Sequence, residues 1–307
     1  MQANQRTAML AAILGNAIFG FSFMFSRIAM GVATPFVMLM YRFLLAFGVL
    51  NLVVLFFGKK SGGEGEIHWL RFNLRGRRLW PLVTLGLIQP TAYFLCESHG
   101  ISLTNSTFAG VIIAIIPIVA LVAGIFTLRE IPSRMQVIFS LISILGVVIM
   151  TLQQRMDGAI QLLGVLLLLG AVLTGTAFNI LSRKLSSDYS VLERTYVMML
   201  VAAAAFTLLA VLECRKDPQL LIAPVRDGGF VGAILYLGVV SSIVAFMALN
   251  YANNLLPVAR VTVFCNMTTI ISLFAGVIFL GEPFSAMSLL ASVMIIVGIW
   301  GVQRHDA

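Results

Sequence analysis

Charge is scarce in this sequence: charged residues occupy 10% of its 307 positions, and only 12 are acidic. Soluble domains carry about 25% charged residues, and with 60% hydrophobic residues and a mean hydropathy of +1.02 a water-soluble globule of this length could not hide its apolar surface. Cysteine and histidine are equally sparse. Cys96, Cys214 and Cys265 are odd in number and lack CxxC spacing, which excludes a disulfide framework and a zinc site. His68, His99 and His305 lie far apart without HExxH spacing, and Asp157, Asp188, Asp217, Asp227 and Asp306 all fall in loops or the tail. No metal, no cofactor and no motif-bearing enzyme are expected. Polar segments are short as well, the longest being 58 to 79 and 214 to 228, so no separate soluble domain is available.

What fills the chain instead is apolar runs. A membrane helix needs roughly 20 mostly apolar residues at about 1.5 Å each. Ten segments qualify: 8 to 30, 34 to 57, 80 to 101, 106 to 128, 134 to 152, 161 to 182, 192 to 213, 229 to 251, 257 to 280 and 285 to 303. The first resembles a signal peptide at its start, but its apolar run continues past Phe25, too long for a signal core, and reads as a retained helix. The net charge of +8 is spread through short loops rather than gathered on one face, so it reports topology, not a nucleic-acid partner. With both termini inside, 14 of the 20 Lys and Arg residues fall on the cytoplasmic side and five outside, with Arg42 inside a span. The positive-inside rule therefore favours N-in and C-in.

Compared with itself at an offset of 152, the sequence aligns spans four and five with nine and ten without a gap. The informative identities are Gly124/Gly276, Glu130/Glu282, Ser133/Ser285 and Gly146/Gly298, because hydropathy alone does not produce them. Weaker matches are Gly86/Gly238, Phe94/Phe246 and, at an offset of 155, GFSF at Gly20 with GTAF at Gly175. A duplicated unit of five spans follows, 1–155 and 156–307, in one membrane domain. Five is odd, so the second unit enters from the opposite side. The fold expected is all-α integral membrane, ten transmembrane helices in two inverted five-helix repeats, which supplies alternating access by symmetry. Small-residue spacings at Gly110/Ala114, Ala120/Gly124 and Ser272/Gly276 suit close helix approach.

The stretch from NSTFAGVIIAIIPIVAL to SILGVVIM, with its echo NMTTIISLFAGVIFLGEPFSAM, resembles the EamA family of the drug/metabolite transporter superfamily. Pro117 and Glu130 match that pattern, whereas Arg129 replaces its usual Gly and Thr269 the second mid-helix Pro. The resemblance spans essentially the whole chain. It implies a secondary transporter of a small metabolite such as an amino acid or amine, working by alternating access in a bacterial cytoplasmic membrane, outward by analogy. The rival readings are a passive facilitator or channel and, more remotely, an intramembrane enzyme. A homodimer is allowed but not predicted.

Two ionisable residues lie well inside spans, Arg42 and Glu97, where charge is costly and usually faces the bundle interior. They are expected at neighbouring depths, either as a neutralising structural pair or with Glu97 taking a proton or a cationic substrate and Arg42 a carboxylate. Tyr93 lies one turn before Glu97 and shares its face. The further candidates for substrate binding are Asn16, Phe19, Phe178, Asn179, Asn250 and Asn266, and Ser22 and Gln89 are other interior polar groups. For each amide, helix-to-helix bonding is the competing role. Pro90 and Pro117 near span centres are candidate hinges, with static kinks as the alternative. Glu130 and Glu282 are assigned to turn capping.

Overall fold

A computed structural model describes residues 2–57, 71–104, 112–152, 161–280 and 285–305. Most of the first long loop, Gly110 and Glu282 lie outside them. The regular structure among the described residues is all helical, with no strand. In chain order the helices are α1 (Gln2–Met30), α2 (Pro35–Phe57), α3 (Trp80–Gly86), α4 (Tyr93–Ser102), α5 (Ile116–Leu128), α6 (Arg134–Leu152) and α7 (Leu162–Leu185). They continue with α8 (Val191–Glu213), then, beyond short helical turns over 214–226, α9 (Gly228–Leu235), α10 (Phe246–Leu255), α11 (Val258–Thr262), α12 (Cys265–Leu280) and α13 (Ala286–Arg304). Two π-helical stretches, Leu87–Ala92 and Tyr236–Ala245, join α3 to α4 and α9 to α10.

Among the described residues, seven stretches are long and apolar enough to cross a membrane: Asn4–Met30, Pro35–Phe56, Leu162–Leu185, Val191–Lys216, Gly228–Leu255, Val258–Phe279 and Ala286–Arg304. Ile116–Leu128 and Arg134–Met150 are shorter apolar helices. In lipid every backbone polar group must be satisfied within the protein, which a helix does for itself. The outer surface is Leu, Ile, Phe and Val, with Leu10, Phe56, Phe126, Leu162 and Ile278 more than half exposed, while Arg42, Glu97, Arg194 and several amides are buried. An apolar exterior around a partly polar interior suits a lipid surround and would aggregate in water. The chain is a multi-pass integral membrane protein.

The helices pair in a pattern that repeats when the halves are exchanged. A Cβ added at Gly146 would lie 2.8 Å from the backbone oxygen of Ala291 and 2.9 Å from Ile295, and one added at Gly298 would lie 2.6 Å from the oxygen of Phe139 and 2.5 Å from Ser143. Each residue of the second set lies 152 positions from its counterpart in the first: Gly146 with Gly298, Phe139 with Ala291, Ser143 with Ile295. The pattern recurs elsewhere. Gly86 meets Met198 and Val201, and its repeat partner Gly238 meets Arg42 and Leu45. Gly20 meets the oxygen of Thr268, and Gly175 meets Ile116.

The helices that pair with their own counterparts run antiparallel. Between α2 and α8, Thr34 bonds Glu213 at 2.6 Å, Phe43 stacks on Phe206 at 5.5 Å and Asn51 bonds Tyr196 at 2.8 Å. Between α6 and α13, Gly146 faces Ala291 and Phe139 faces His305. A two-fold axis along the helices would pair them parallel. Antiparallel pairing is the product of an axis across them.

Because backbones touch at Gly298, Gly298→Val should overpack the α6–α13 contact and cost about 1–3 kcal/mol, read as a lower unfolding midpoint in detergent. Gly124 differs: nothing lies within 4 Å of its would-be Cβ, so it is not the helix contact its spacing suggested.

The expected spans at 80 to 101 and 257 to 280 are both interrupted. The first breaks at Gln89, whose backbone is extended at φ −145° and ψ 128°, immediately before Pro90. The second turns at Val263 and Phe264, between α11 and α12, without a proline. Pro117 does not bend a helix from within. It is the second residue of α5, after a turn at Ala114 and Ile115, where its missing N–H costs nothing.

Candidate functional site

The centre of the molecule is built where α1, α2, α4, α7, α10 and α12 converge. Tyr93 Oη donates to Glu97 Oε1 at 3.1 Å, one helical turn away, as their spacing on α4 requires. The Tyr93 ring packs 3.4 Å from the would-be Cβ of Gly175, so the absent side chain on α7 makes its place. Glu97 is 8% exposed and Arg42 2%.

Arg42 and Glu97 are not a contact pair. Arg42 Nε donates to Ser242 Oγ at 2.8 Å and Nη2 to Ser241 Oγ at 2.9 Å, and its guanidinium lies 4.9 Å from the centre of the Phe94 ring. Ser22 Oγ on α1 also donates to Ser241 Oγ, at 2.8 Å. The π-helical stretch thus offers two hydroxyls to the guanidinium, and Arg42 and Glu97 are held by separate neutral partners.

The four predicted amides all make helix contacts. Asn16 Nδ2 donates to Ala12 O at 2.8 Å, and Thr268 on α12 donates to the Asn16 carbonyl at 3.3 Å. Asn179 accepts from Asn253 at 3.2 Å. Asn250 accepts from Ser182 at 2.7 Å and donates to Thr195 at 3.1 Å. Asn266 donates to Ser143 at 3.0 Å. Phe19 and Phe178 come together through a third ring, each edge-on to Phe246 at 5.2 and 6.1 Å. Gln89 Oε1, Thr176 Oγ1 and Asn253 Oδ1 are buried acceptors with no donor among the described residues.

Two clusters escaped the sequence reading. Arg194 on α8 is fully buried and donates to Ser182 O, Ser182 Oγ, Asn250 O, Asn254 Oδ1 and, at 3.4 Å, Ser190 O. Its signal was present. Ser190 and Glu193 form an S-x-x-E capping box, which starts the helix at Val191 and places Arg194 inside it rather than in a loop. The second cluster centres on Glu130, which caps no turn of its own. It accepts from Arg183 Nε at 3.3 Å and from the first backbone N–H of α11, Val258, at 2.8 Å.

Arg129 precedes it with φ 57° and ψ 28°, the left-handed region glycine enters freely. Arg129→Gly should therefore stabilise the protein by about 1 kcal/mol of relieved strain, read as a higher unfolding midpoint. A pocket of ≈ 290 Å³ opens beside these residues, lined by Gly124, Arg129, Glu130, Gln136, Val258 and Arg260 among others.

The comparisons with known proteins agree with this architecture. The model of the EamA-like transporter family matches residues 6–152 and again 162–304. The uncharacterized transporter YcxC of Bacillus subtilis is 30% identical over 300 residues, covering 97% of this chain and 93% of that protein. An uncharacterized transporter of Archaeoglobus fulgidus is 23% identical over 286 residues, covering 93% and 94% of the two chains. A WAT1-related protein of Arabidopsis thaliana is 23% identical over 257 residues, 74% of this chain and 69% of that one. A crystal structure shares the fold with a TM-score of 0.79 at 16% identity, covering 97% of each chain. With the matched helices paired end for end, two family matches in one polypeptide and relatives named as transporters rather than enzymes, the chain belongs to the EamA-like transporter family.

Proposed function

We propose that this protein crosses the bilayer ten times, as two inverted five-helix units within 1–155 and 156–307, with both termini cytoplasmic, and carries a small polar metabolite by alternating access. The observation that supports this most is the exchange symmetry of the glycine contacts, together with the antiparallel self-pairing of α2 with α8 and α6 with α13. In an inverted pair, a conformation open to one face has a counterpart of similar energy open to the other. Sidedness is supported by Arg71, Asn73, Arg77 and Arg78, which dock on the start of α8 through Ser190, Glu193 and the Asp188–Tyr189 turn and so gather basic residues at one end.

Tyr93 and Glu97 are the groups assigned to substrate or proton, with Arg42 held nearby for a carboxylate and Phe19, Phe178 and Phe246 as an aromatic wall. The unmatched acceptors at Gln89, Thr176 and Asn253 favour a solute that brings N–H or O–H donors, such as an amine or amino acid. The break at Gln89 and Pro90 is the hinge assigned to the first half, and the turn before Pro117 a second. Export across a bacterial cytoplasmic membrane is the direction proposed.

Counterflow in proteoliposomes tests the reading. Purified protein loaded with unlabelled amines or amino acids on one side should accelerate uptake of the labelled solute from the other. Uptake unaffected by solute on the far side is the signature of a channel and would count against a carrier.

A further inference from the structure

We infer that Glu130 and Arg183 form a water-breakable latch that closes one end of the transport path. Glu130 sits at the end of α5 in the first half, and everything it holds lies in the second half. One carboxylate oxygen takes Arg183 Nε at the end of α7, at 3.3 Å, and the other takes the Val258 N–H that opens α11, at 2.8 Å. Arg183 Nη1 then donates to the last-turn carbonyls of α10, at 3.2 Å to Asn253 and 2.8 Å to Asn254. Two side chains thereby satisfy helix-end groups that otherwise need water, with the guanidinium at the negative end of α10. Four helix ends from both halves meet in this one cluster.

Exposure separates this cluster from the other arginine cluster nearby. The Arg183 and Glu130 side chains are 26% and 25% exposed, whereas Arg194 is 0% exposed. If the two halves part here, water can replace each Glu130 and Arg183 bond as it breaks, so opening and closing are close in free energy. Water cannot reach Arg194, so its five bonds persist and keep α7, α8 and α10 together. The pocket of ≈ 290 Å³ alongside, with Gly124 and Val258 in its lining, leaves room between α5 and α11 for that movement. Glu130 recurs in the other half at Glu282, which lies outside the described residues.

The latch rests on the alternating-access reading, and one probe separates the two. Cys265, at the start of α12 three residues before the Thr268 that bonds Asn16 on α1, is partly buried, so it reports access to the centre. With Cys96 and Cys214 replaced by Ala, Cys265 is alkylated by a membrane-impermeant maleimide applied to inside-out or right-side-out vesicles. Glu130→Gln and Arg183→Gln should each raise the rate from the Glu130 face by about tenfold, the shift that loss of a charge-assisted hydrogen bond produces. The rate from the opposite face should fall or stay level. Should either variant lose its monodisperse folded peak, Arg183→Lys, which keeps the charge without the fork, decides by the same ratio. Wild-type rates from both faces in these variants would overturn the latch while leaving the carrier intact. Equal, rapid labelling from both faces in the wild type and every variant would overturn alternating access, and the latch with it.

Discussion

Arg194→Met is expected to destabilise the protein by about 3 kcal/mol, the largest single-residue loss outside the helix crossings. Interhelical hydrogen bonds in membrane proteins average about 0.6 kcal/mol, and Arg194 makes four, two to Ser182 and one each to Asn250 and Asn254, besides one to Ser190 at the start of its own helix. The partners are neutral, so no bare charge is left behind. The loss is the sum of the bonds plus whatever the buried carbonyls of Ser182 and Asn250 suffer without a donor. Methionine fills most of the volume and isolates the polar contribution. Arg194→Lys should recover only part, since an ammonium cannot span partners on α7 and α10 as the planar fork does. Unfolding midpoints in detergent read both, and a change below about 0.5 kcal/mol for Arg194→Met would show that the cluster is ornamental.

Glu97→Gln is expected to abolish uphill accumulation while leaving exchange intact. The amide oxygen can still accept from Tyr93 Oη, so the contact now 3.1 Å long survives and the geometry around it is preserved. What is lost is the ability to carry a charge or a proton in the interior, the reason for keeping a carboxylate there at all. Tyr93→Phe supplies the complementary case, removing the hydrogen bond and keeping the carboxylate. If transport is proton-driven through Glu97, the Gln variant should equilibrate its solute and stop there, with or without a pH gradient across the vesicle. Undiminished uphill uptake by Glu97→Gln would remove Glu97 from coupling and leave it a packing residue.

The parts of the architecture legible in the sequence were those where one residue type has one physical use. Gly146 and Gly298 share an offset because two backbones cross there, and the same offset describes the contacts they make. Less legible was everything that depends on register between helices. The Gly86 and Gly238 contacts relate Arg42 to Met198, 156 positions on, because the turn between the first two helices of each half differs in length. Arg42 and Glu97 were rightly placed in the interior, yet their partners are hydroxyls and a phenol from neighbouring stretches, which no one-dimensional spacing reveals. The amides show the same limit. Asn16, Asn179, Asn250 and Asn266 are interior, as a costly polar group must be, but the sequence leaves open that each joins helices. Glu130 was repeated at Glu282 and therefore visible, but its work on another helix's first N–H requires a fold to see.

The account depends on the two halves entering the membrane from opposite sides, and one labelling experiment addresses that directly. Arg134 and Ala286 are the first residues of α6 and α13, both exposed and 152 positions apart. In a protein with Cys96, Cys214 and Cys265 replaced by Ala, Arg134→Cys and Ala286→Cys are each challenged with an impermeant maleimide from one side. Labelling of Ala286→Cys from outside the cell and of Arg134→Cys only after the membrane is opened is the predicted result. Labelling of both from the same side would contradict the inverted pair and everything built on it.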